Sequence, residues 1–347
     1  MLRFAGFRVC LLVVFLLQTH QALAFYFKHD NRNHIRIVGS STVYPFVSVI
    51  AETFGRNSSY RTPIVEATGT GGGFKLFCSG IGYSYPDFSN ASRPIKDSEI
   101  KRCASNNIKN IFEIKIGYDG IVIANSTISK KFNLSKSQLF LALASKVPDS
   151  SGKLVDNFYK KWNEIDSSLP NLDISIYGPP PTSGTRDAFV ELVMEDVCFD
   201  MKHFIKAYPD SNMRKKICHL IRSDGKFIEA GENDNLIVQK LKSNNDALGI
   251  FGFSFLQENK DQIQAAKIDD IEPSFDSIIL GSYKISRSLY MYFKGEHLDL
   301  VPGMQDFVKE IISDNTIGKD GYLLQKGLIP LSDWETKKMR SEIINIL

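Results

Sequence analysis

Three short segments rich in glycine, serine and threonine each run directly into an apolar stretch of helical period. They occupy residues 39–42 (Gly-Ser-Ser-Thr), 69–73 (Gly-Thr-Gly-Gly-Gly) and 182–185 (Thr-Ser-Gly-Thr). The first turn of a helix has unpaired N–H groups and partial positive charge. Small residues let an anion approach that backbone, and hydroxyl groups add donors. One such segment is typical of a helix cap, but three in one chain predict a site for one small oxyanion.

Strand and helix patterns alternate around these segments. Strand patterns cover residues 35–38, 63–67, 111–116, 120–124, 173–177 and 247–251, with a further β-rich stretch at 278–280. Helix patterns cover residues 44–54, 137–145, 154–162, 186–197, 304–313 and 334–345. The alternation predicts an α/β fold with helices on both faces of a parallel sheet. It occurs in two similar blocks, and two such lobes would enclose a cleft beside the carboxyl ends of their strands.

Length and charge restrict the class of protein. The chain has 347 residues, enough for two ordinary domains or one large one. Its formal net charge of +3 is too small to favour a nucleic acid as partner. Residues 1–24 contain Arg3 and Arg8 and no acid. Removing them leaves 40 of the 42 basic residues against 39 acidic ones, a net charge of +1.

The N-terminus has the pattern of a secretory signal peptide over residues 1–24. Arg3 and Arg8 form a basic start, residues 9–17 are apolar, and Ala-Leu-Ala at 22–24 predicts cleavage after Ala24. The alternative is an uncleaved anchor, for which the apolar run is short. We therefore expect a soluble protein that is exported to the periplasm.

The cysteines indicate disulfide bonds. Apart from Cys10 in the signal segment, the chain has Cys78, Cys103, Cys198 and Cys218. An even number in an exported chain favours disulfides over free thiols, and three pairings are possible. The local pairing, Cys78–Cys103 with Cys198–Cys218, places one bridge in each candidate lobe. Each bridge would contribute roughly 3 kcal/mol in the loop-entropy model. A zinc site fits less well, because the chain has no C-x-x-C pair.

Seven motifs carry a resemblance to a known family. In order they are VGSSTVYP at 38–45, GTGGGFK at 69–75, NASRPI at 90–95, YDG at 118–120, SGTRDAF at 183–189, ALGI at 247–250 and SRSLY at 286–290. Taken together, they resemble the periplasmic phosphate-binding proteins of phosphate-specific ABC importers, in the branch with Ala-Ser-Arg. The resemblance implies a type II periplasmic binding protein fold, in which each of two lobes is a mixed, mainly parallel sheet flanked by helices and two hinge crossovers join the lobes. Its two lobes would close on one phosphate ion and deliver it to a permease in the inner membrane.

The resemblance also implies a set of phosphate-binding residues. Backbone N–H and hydroxyl groups of four segments would hold the dehydrated ion. The positions that match the family are Ser41, Thr42, Val43, Thr70, Gly71, Ser92, Arg93, Ser183, Gly184, Thr185 and Arg186. Arg93 and Arg186 are plausible ligands, because a guanidinium group can hold phosphate in bidentate fashion. No catalytic residue, metal ion or cofactor is implied.

One carboxylate of the family pattern is missing. Some members carry Asp where this chain has Arg93. A carboxylate there accepts the proton that phosphate keeps near neutral pH, and it repels fully ionised sulfate. Asp119 and Asp187 are the candidates for this role. We favour Asp119, which follows a strand pattern beside Gly120 and completes the predicted phosphate site.

The two lobes are expected to be discontinuous in sequence. Residues 25–117 plus 286–347 would form the first lobe, and residues 118–285 the second. The crossings would lie at Asp119–Gly120 and within residues 281–287. Closure would bend the protein at these crossings.

Other classes of function stay open at this point. The chain could be a receptor for sulfate or molybdate, or an adhesion or signalling protein that reuses the fold. An enzyme is disfavoured, because Ser41 and Ser183 lack a Gly-x-Ser-x-Gly elbow and a nearby histidine in sequence. The loop at 69–73 also lacks the Gly-Lys-Ser/Thr of a nucleotide-binding P-loop. We expect a monomeric receptor without enzymatic activity.

Overall fold

A computed structural model describes residues 32–181, 183–231 and 234–347. The signal peptide predicted over residues 1–24 lies outside the described residues, as does Thr182 of the third segment. Within the described ranges, every helix is too short or too polar to span a bilayer.

The strands are short except for two. Their bounds are β1 Arg36–Gly39, β2 Ile64–Ala67, β3 Phe88–Ala91, β4 Ile111–Ser126, β5 Asn133–Leu134, β6 Lys146–Pro148, β7 Leu154–Asp156, β8 Ile176–Gly178, β9 Phe227–Glu229, β10 Leu248–Gly252, β11 Ile263–Ala265, β12 Lys267–Ile268 and β13 Ser286–Lys294. The long strands β4 and β13 lie side by side.

Helices alternate with the strands along the chain. The α-helices are Tyr44–Asn57, Thr70–Phe77, Asp97–Ser105, Lys136–Leu143, Trp162–Ile165, Gly184–Phe189, Asp196–Phe199, Lys202–Ala207, Ser211–Cys218, Asp234–Ser243, Phe253–Glu258, Phe275–Ile279, Met304–Ile311, Asp314–Ile317 and Asp333–Ile344. A π-helical turn spans Val190–Glu195, and 3₁₀ turns span Gly295–His297 and Leu324–Lys326. Residues 184–199 are therefore one continuous helical run.

Nine strands form one mixed sheet with two halves. The order is β2-β1-β3-β13-β4-β10-β8-β9, and β11 also pairs with β4. In the first half β1 is parallel to β2 and β3, and in the second half β8 is parallel to β10 and β9. Between them, β13 and β4 run antiparallel to each other. The sheet is thus mixed, as the resemblance implies, rather than all parallel, as the alternation of strands and helices alone predicts. Strand β4 continues from one half into the other.

Strand β4 differs from the sequence prediction. The sequence predicts two strands separated by a break at residues 117–119, whereas β4 is continuous over 16 residues. Nine of its first ten residues pair with β13; Ile116 is left out where the register shifts between Leu289 and Tyr290. The partner strand supplies hydrogen bonds through the glycine-containing stretch, so the local turn tendency does not end the strand.

Two shorter secondary-structure predictions are wrong, because in each segment a specific hydrogen-bonded contact outweighs the local apolar pattern. Residues 154–162, predicted as helix, form β7 and a connection, because β7 pairs with β6. Residues 278–280, predicted as β-rich, lie at the end of the helix Phe275–Ile279. Ser274 caps that helix by accepting a hydrogen bond from the N–H of Ser277 at 3.0 Å. This cap outweighs the strand preference of the isoleucines.

The structure contains both disulfide bonds of the local pairing. Cys78–Cys103 joins the helices 70–77 and 97–105, and Cys198–Cys218 joins the helical run 184–199 to the helix 211–218. All four cysteines are buried. Each bridge therefore ties down the far end of a helix whose N-terminus belongs to one of the predicted anion-binding segments.

A buried ionic cluster fixes the loop that leads into β3. Asp87 accepts hydrogen bonds from Arg32 at 2.6 and 2.8 Å, and His297 Nδ1 lies 2.6 Å from its carboxylate. Lys294 donates to two main-chain carbonyl groups of the same loop at 2.7 and 2.8 Å. Burial lowers the pKa of Lys294 to about 7. Because β3 continues directly into Ser92, this cluster positions part of the site described next.

Candidate anion-binding site

The first segment forms a turn between β1 and the helix Tyr44–Asn57. Pro45 lies in the first turn of that helix, where its missing N–H costs no hydrogen bond. The N–H of Ser40 donates to the carbonyl oxygen of Asn90 at 2.9 Å. Among the described residues, no hydrogen bond engages the N–H groups of residues 41–43. Three adjacent donors therefore stay available at this helix start.

The second segment lies against the first. The helix begins at Thr70, so the glycines that follow are inside its first turns rather than in a preceding loop. A Cβ atom on Gly73 would lie 2.5 Å from the Cα of Gly39, so only glycine lets the helix approach β1 this closely. Thr70 Oγ1 also lies 3.2 Å from Ser92 Oγ and accepts a hydrogen bond from the N–H of Ser92 at 3.3 Å. The second and fourth segments are thus joined.

The third segment comes from the second half of the sheet and meets the first. Ser183 caps the helical run 184–199 by accepting a hydrogen bond from the N–H of Thr185 at 3.2 Å. A Cβ atom on Gly184 would lie 3.3 Å from the Cα of Thr42. Ser41 Oγ donates to Asp187 Oδ2 at 2.5 Å. The structure thus brings segments from the two halves into direct contact.

The two predicted arginines have other partners in the structure. Arg93 makes a bidentate pair with Glu99 at 2.9 and 2.8 Å. Burial opposes ionisation of Glu99, but the hydrogen bonds from Arg93 and the main chain keep its pKa below the ordinary value. Arg186 donates to the carbonyl oxygen of Pro179 at 3.1 Å and lies 4.5 Å above the ring of Phe227. Both cations lie beside predicted segments, and each is held by partners in its own half of the fold.

A third arginine lies where the two halves meet. Arg287 of β13 donates one hydrogen bond to Thr42 Oγ1 and another to Glu191 Oε2, the latter at 2.5 Å. Its side chain is 7% exposed. The motif at 286–290 contains this residue but does not by itself predict a role for it. The one signal in the sequence is that Arg287 lies at a predicted crossing between the lobes.

Both candidate carboxylates lie at the same junction. Asp119 is paired across the sheet with Arg287. Burial raises the pKa of the Asp119 carboxyl above its ordinary value, although the charge of Arg287 acts in the opposite direction. Asp187 is the acceptor for Ser41. Either carboxylate could accept a proton from a bound anion.

Two cavities border the contact between the halves. One, of about 440 Å³, is lined by Thr70, Ser92, Arg93 and Arg287 together with side chains of the helical run 184–199. The other, of about 430 Å³, includes Asp119 and Thr185. The first cavity is thus lined by predicted residues of the second and fourth segments, and the second cavity by Asp119 of β4 and Thr185 of the third segment.

Asn90 is a further buried polar residue beside the first segment. Both polar atoms of its side chain are buried and have no hydrogen-bond partner among the described residues. Such groups are costly unless a ligand or water satisfies them. The sequence alone does not predict a role for Asn90, because an asparagine before Ala-Ser-Arg has no distinctive spacing of its own.

Comparison with known proteins identifies the family. A family model described as the PBP superfamily domain matches residues 28–315. The chain is 32% identical over 318 residues to the phosphate-binding protein PstS of Staphylococcus saprophyticus subsp. saprophyticus, covering 89% of this chain and 84% of that one. It is also 32% identical over 290 residues to the protein of the same name from Staphylococcus haemolyticus, covering 82% and 78%.

Solved structures agree with this. The structure described as a possible phosphate binding protein from Planctomyces limnophilus has a TM-score of 0.73 at 26% identity, covering 90% of this chain and 98% of that one. The likeness confirms the two-lobed α/β fold. The chain therefore belongs to the PBP superfamily and, within it, to the phosphate-binding proteins of the PstS type.

Proposed function

We propose that this protein is an extracytoplasmic receptor that binds inorganic phosphate in the cleft between its lobes and delivers it to an ABC importer. The observation that carries the proposal is the contact between the helix starts of both halves at Thr42 and Gly184, where backbone donors and hydroxyl groups converge. Relatives named phosphate-binding protein PstS support phosphate as the ligand.

The ion would be held mainly by groups that carry no full charge. Backbone N–H groups of residues 41–43, 70–71 and 184 would replace its hydration shell, together with the hydroxyl groups of these segments, of Ser183 and Thr185, and of Ser92. Arg93 and Arg186 would supply positive charge from either side. Such a site binds an anion by fixed donors, without covalent chemistry.

Binding would be coupled to closure of the lobes. We propose residues 25–117 plus 286–347 as the first lobe and 118–285 as the second. The bend would lie where the chain passes from one lobe to the other, in β4 and at the start of β13. Since the ion contacts both lobes, it stabilises the closed arrangement relative to the open one.

Export and partners follow from the same proposal. The signal peptide would be cleaved after Ala24, and the mature protein would act in the periplasm as a monomer that contacts an inner-membrane permease. The relatives are binding proteins by name, and we propose no catalytic role.

Isothermal titration of the mature, ligand-stripped protein tests the function. We expect one-to-one binding of phosphate, with sulfate and molybdate much weaker at the same pH. Comparable sulfate binding would instead favour a general oxyanion receptor. Absence of binding by a folded protein would contradict transport and favour an adhesion or signalling role.

Asp119 should set the preference for phosphate over sulfate. When ionised it accepts the phosphate proton, and when protonated it no longer repels sulfate. Its raised pKa means that protonation begins at a higher pH than for an ordinary aspartate. We expect the phosphate-to-sulfate affinity ratio to fall as the pH is lowered from 8 to 5.

The variant Asp119→Asn should show a preference that is roughly tenfold smaller at pH 8 and less dependent on pH. Binding titrations with both ions at each pH measure this ratio. The change in protonation of phosphate between these pH values affects both proteins equally, so it does not contribute to the difference between them. Asp187→Asn is the comparison variant. An intact preference in Asp119→Asn, with loss in Asp187→Asn, would transfer the role to Asp187.

A further inference from the structure

The side chain of Arg287 joins three parts of the protein at once. One terminal nitrogen donates to Thr42 in the first anion-binding segment, and the other donates to Glu191 in the helical run of the second half. Its Nε lies 3.7 Å from Asp119 Oδ2 on β4, which is a charge contact longer than a hydrogen bond. The guanidinium group therefore contacts both lobes and the strand that connects them.

This guanidinium group is buried but incompletely satisfied. The Arg287 side chain is 7% exposed, and its buried Nε has no hydrogen-bond partner among the described residues. Taking an arginine charge out of water is costly unless acceptors surround it. Arg287 also lines the cavity of about 440 Å³ that contains Thr70 and Ser92 of the site. An anion in that cavity would lie beside the guanidinium group of Arg287.

Glu191 holds the guanidinium group from the opposite lobe. It lies in the π-helical turn Val190–Glu195, a rare geometry that is common at functional sites. Its side chain is 44% exposed, whereas Arg287 is buried. The pair joins β13 to the helical run that begins at Gly184, so separation of that run from the first segment would break it.

We propose that Arg287 is a further anion-binding residue and that Glu191 is its positioning residue, so that this ion pair couples binding of the ion to lobe closure. The proposal rests on the proposed function of the cleft. Arg287 places its donors toward the ion only when Glu191 holds it across the cleft. Opening the lobes would break the contact between Glu191 and Arg287. The guanidinium group would then be less well oriented and would bind the ion more weakly.

Variants of both residues test this in the full mature protein. Phosphate affinity and the association and dissociation rates are measured at fixed salt for Arg287→Lys, Glu191→Gln and the control Asp156→Asn. The control also removes one negative charge from an ion pair, but Asp156 is exposed, pairs with Lys146 and lies outside the cavity that Arg287 lines. Circular dichroism and thermal unfolding confirm that each variant is folded.

Arg287→Lys keeps the charge but loses the planar set of donors, so we expect phosphate affinity to fall at least about fiftyfold. Glu191→Gln should weaken binding roughly tenfold, mainly through faster dissociation, because the closed state is less stable. Asp156→Asn should stay within about twofold of the wild type. Changing both residues of the pair should cost less than the two single losses combined.

Unchanged affinity in a folded Arg287→Lys variant would overturn the proposal. Tighter binding in Glu191→Gln would also overturn it, because Glu191 would then compete with the ion rather than position its ligand. If the wild type binds sulfate or molybdate but not phosphate, the proposed function fails. The same variants then test Arg287 with the ion that binds, so the two failures are distinguishable.

Discussion

Replacing Gly184 with valine should abolish tight phosphate binding while leaving the fold intact. A Cβ atom at this position would lie 3.3 Å from the Cα of Thr42 and 3.6 Å from the carbonyl oxygen of Ser41. Both contacts are with main-chain atoms of the opposite lobe, which cannot rotate away as a side chain can. The added methyl groups of valine would hold the lobes apart. We expect the affinity to fall roughly a hundredfold.

The same substitution keeps the backbone N–H of residue 184, so it separates the effect of closure from the loss of a donor. Gly184→Ala should show an intermediate loss of about tenfold, since one carbon atom requires a smaller shift. Gly252→Ala is the control, because its Cβ atom would have its nearest contact at 3.8 Å. Isothermal titration measures the affinities. Normal binding by the valine variant would mean that this contact is absent from the ligand-bound state.

Replacing Asp87 with asparagine should lower the free energy of unfolding by about 3–5 kcal/mol at pH 7. The substitution leaves Arg32, whose side chain is 7% exposed, without its carboxylate, and it weakens the contact with His297. It also removes a negative charge near the buried Lys294. Urea unfolding measures the difference. Asp156→Asn is the control, since Asp156 is 90% exposed and should change the free energy by less than about 0.5 kcal/mol.

The pH dependence of this effect has a defined sign. Burial opposes ionisation of Asp87, but Arg32 and His297 hold its pKa below the ordinary value. The carboxylate therefore stabilises the fold above its unfolded pKa of about 3.9. That contribution is lost as the pH falls through the lower folded pKa. Unfolding at pH 7 and pH 3 should show a smaller acid effect in Asp87→Asn than in the wild type, and an equal effect would contradict the assignment.

The fold class could be predicted because helix and strand formation depends on the spacing of apolar residues within short segments of sequence. Apolar residues such as Phe46, Val47 and Ile50 recur at helical spacing and are buried on one face of the helix 44–57. The turn residues before each helix start leave few other conformations. For these reasons the α/β class and the positions of the three segments could be read from the sequence.

The predicted site was less complete because its geometry depends on residues far apart in sequence. Arg287 and Thr42 are 245 positions apart. Their contact depends on the register between β13 and β4, which no local pattern specifies. The bidentate pair of Arg93 with Glu99 is closer in sequence, yet Ala-Ser-Arg alone does not indicate it. The motifs predict which segments form the site, but only the structure shows which side chains contact each other.

The antiparallel pairing of β4 with β13 has a mechanical consequence. Two hydrogen-bonded strands form a ribbon that bends and twists out of its plane more easily than its strands slide past each other. Nine residues of β13 are paired with β4, so sliding would break many hydrogen bonds at once. The lobes should therefore open by bending about this strand pair, as about a single hinge axis, with one principal direction of motion. Each closing movement would then return Gly184 to Thr42 in the same alignment.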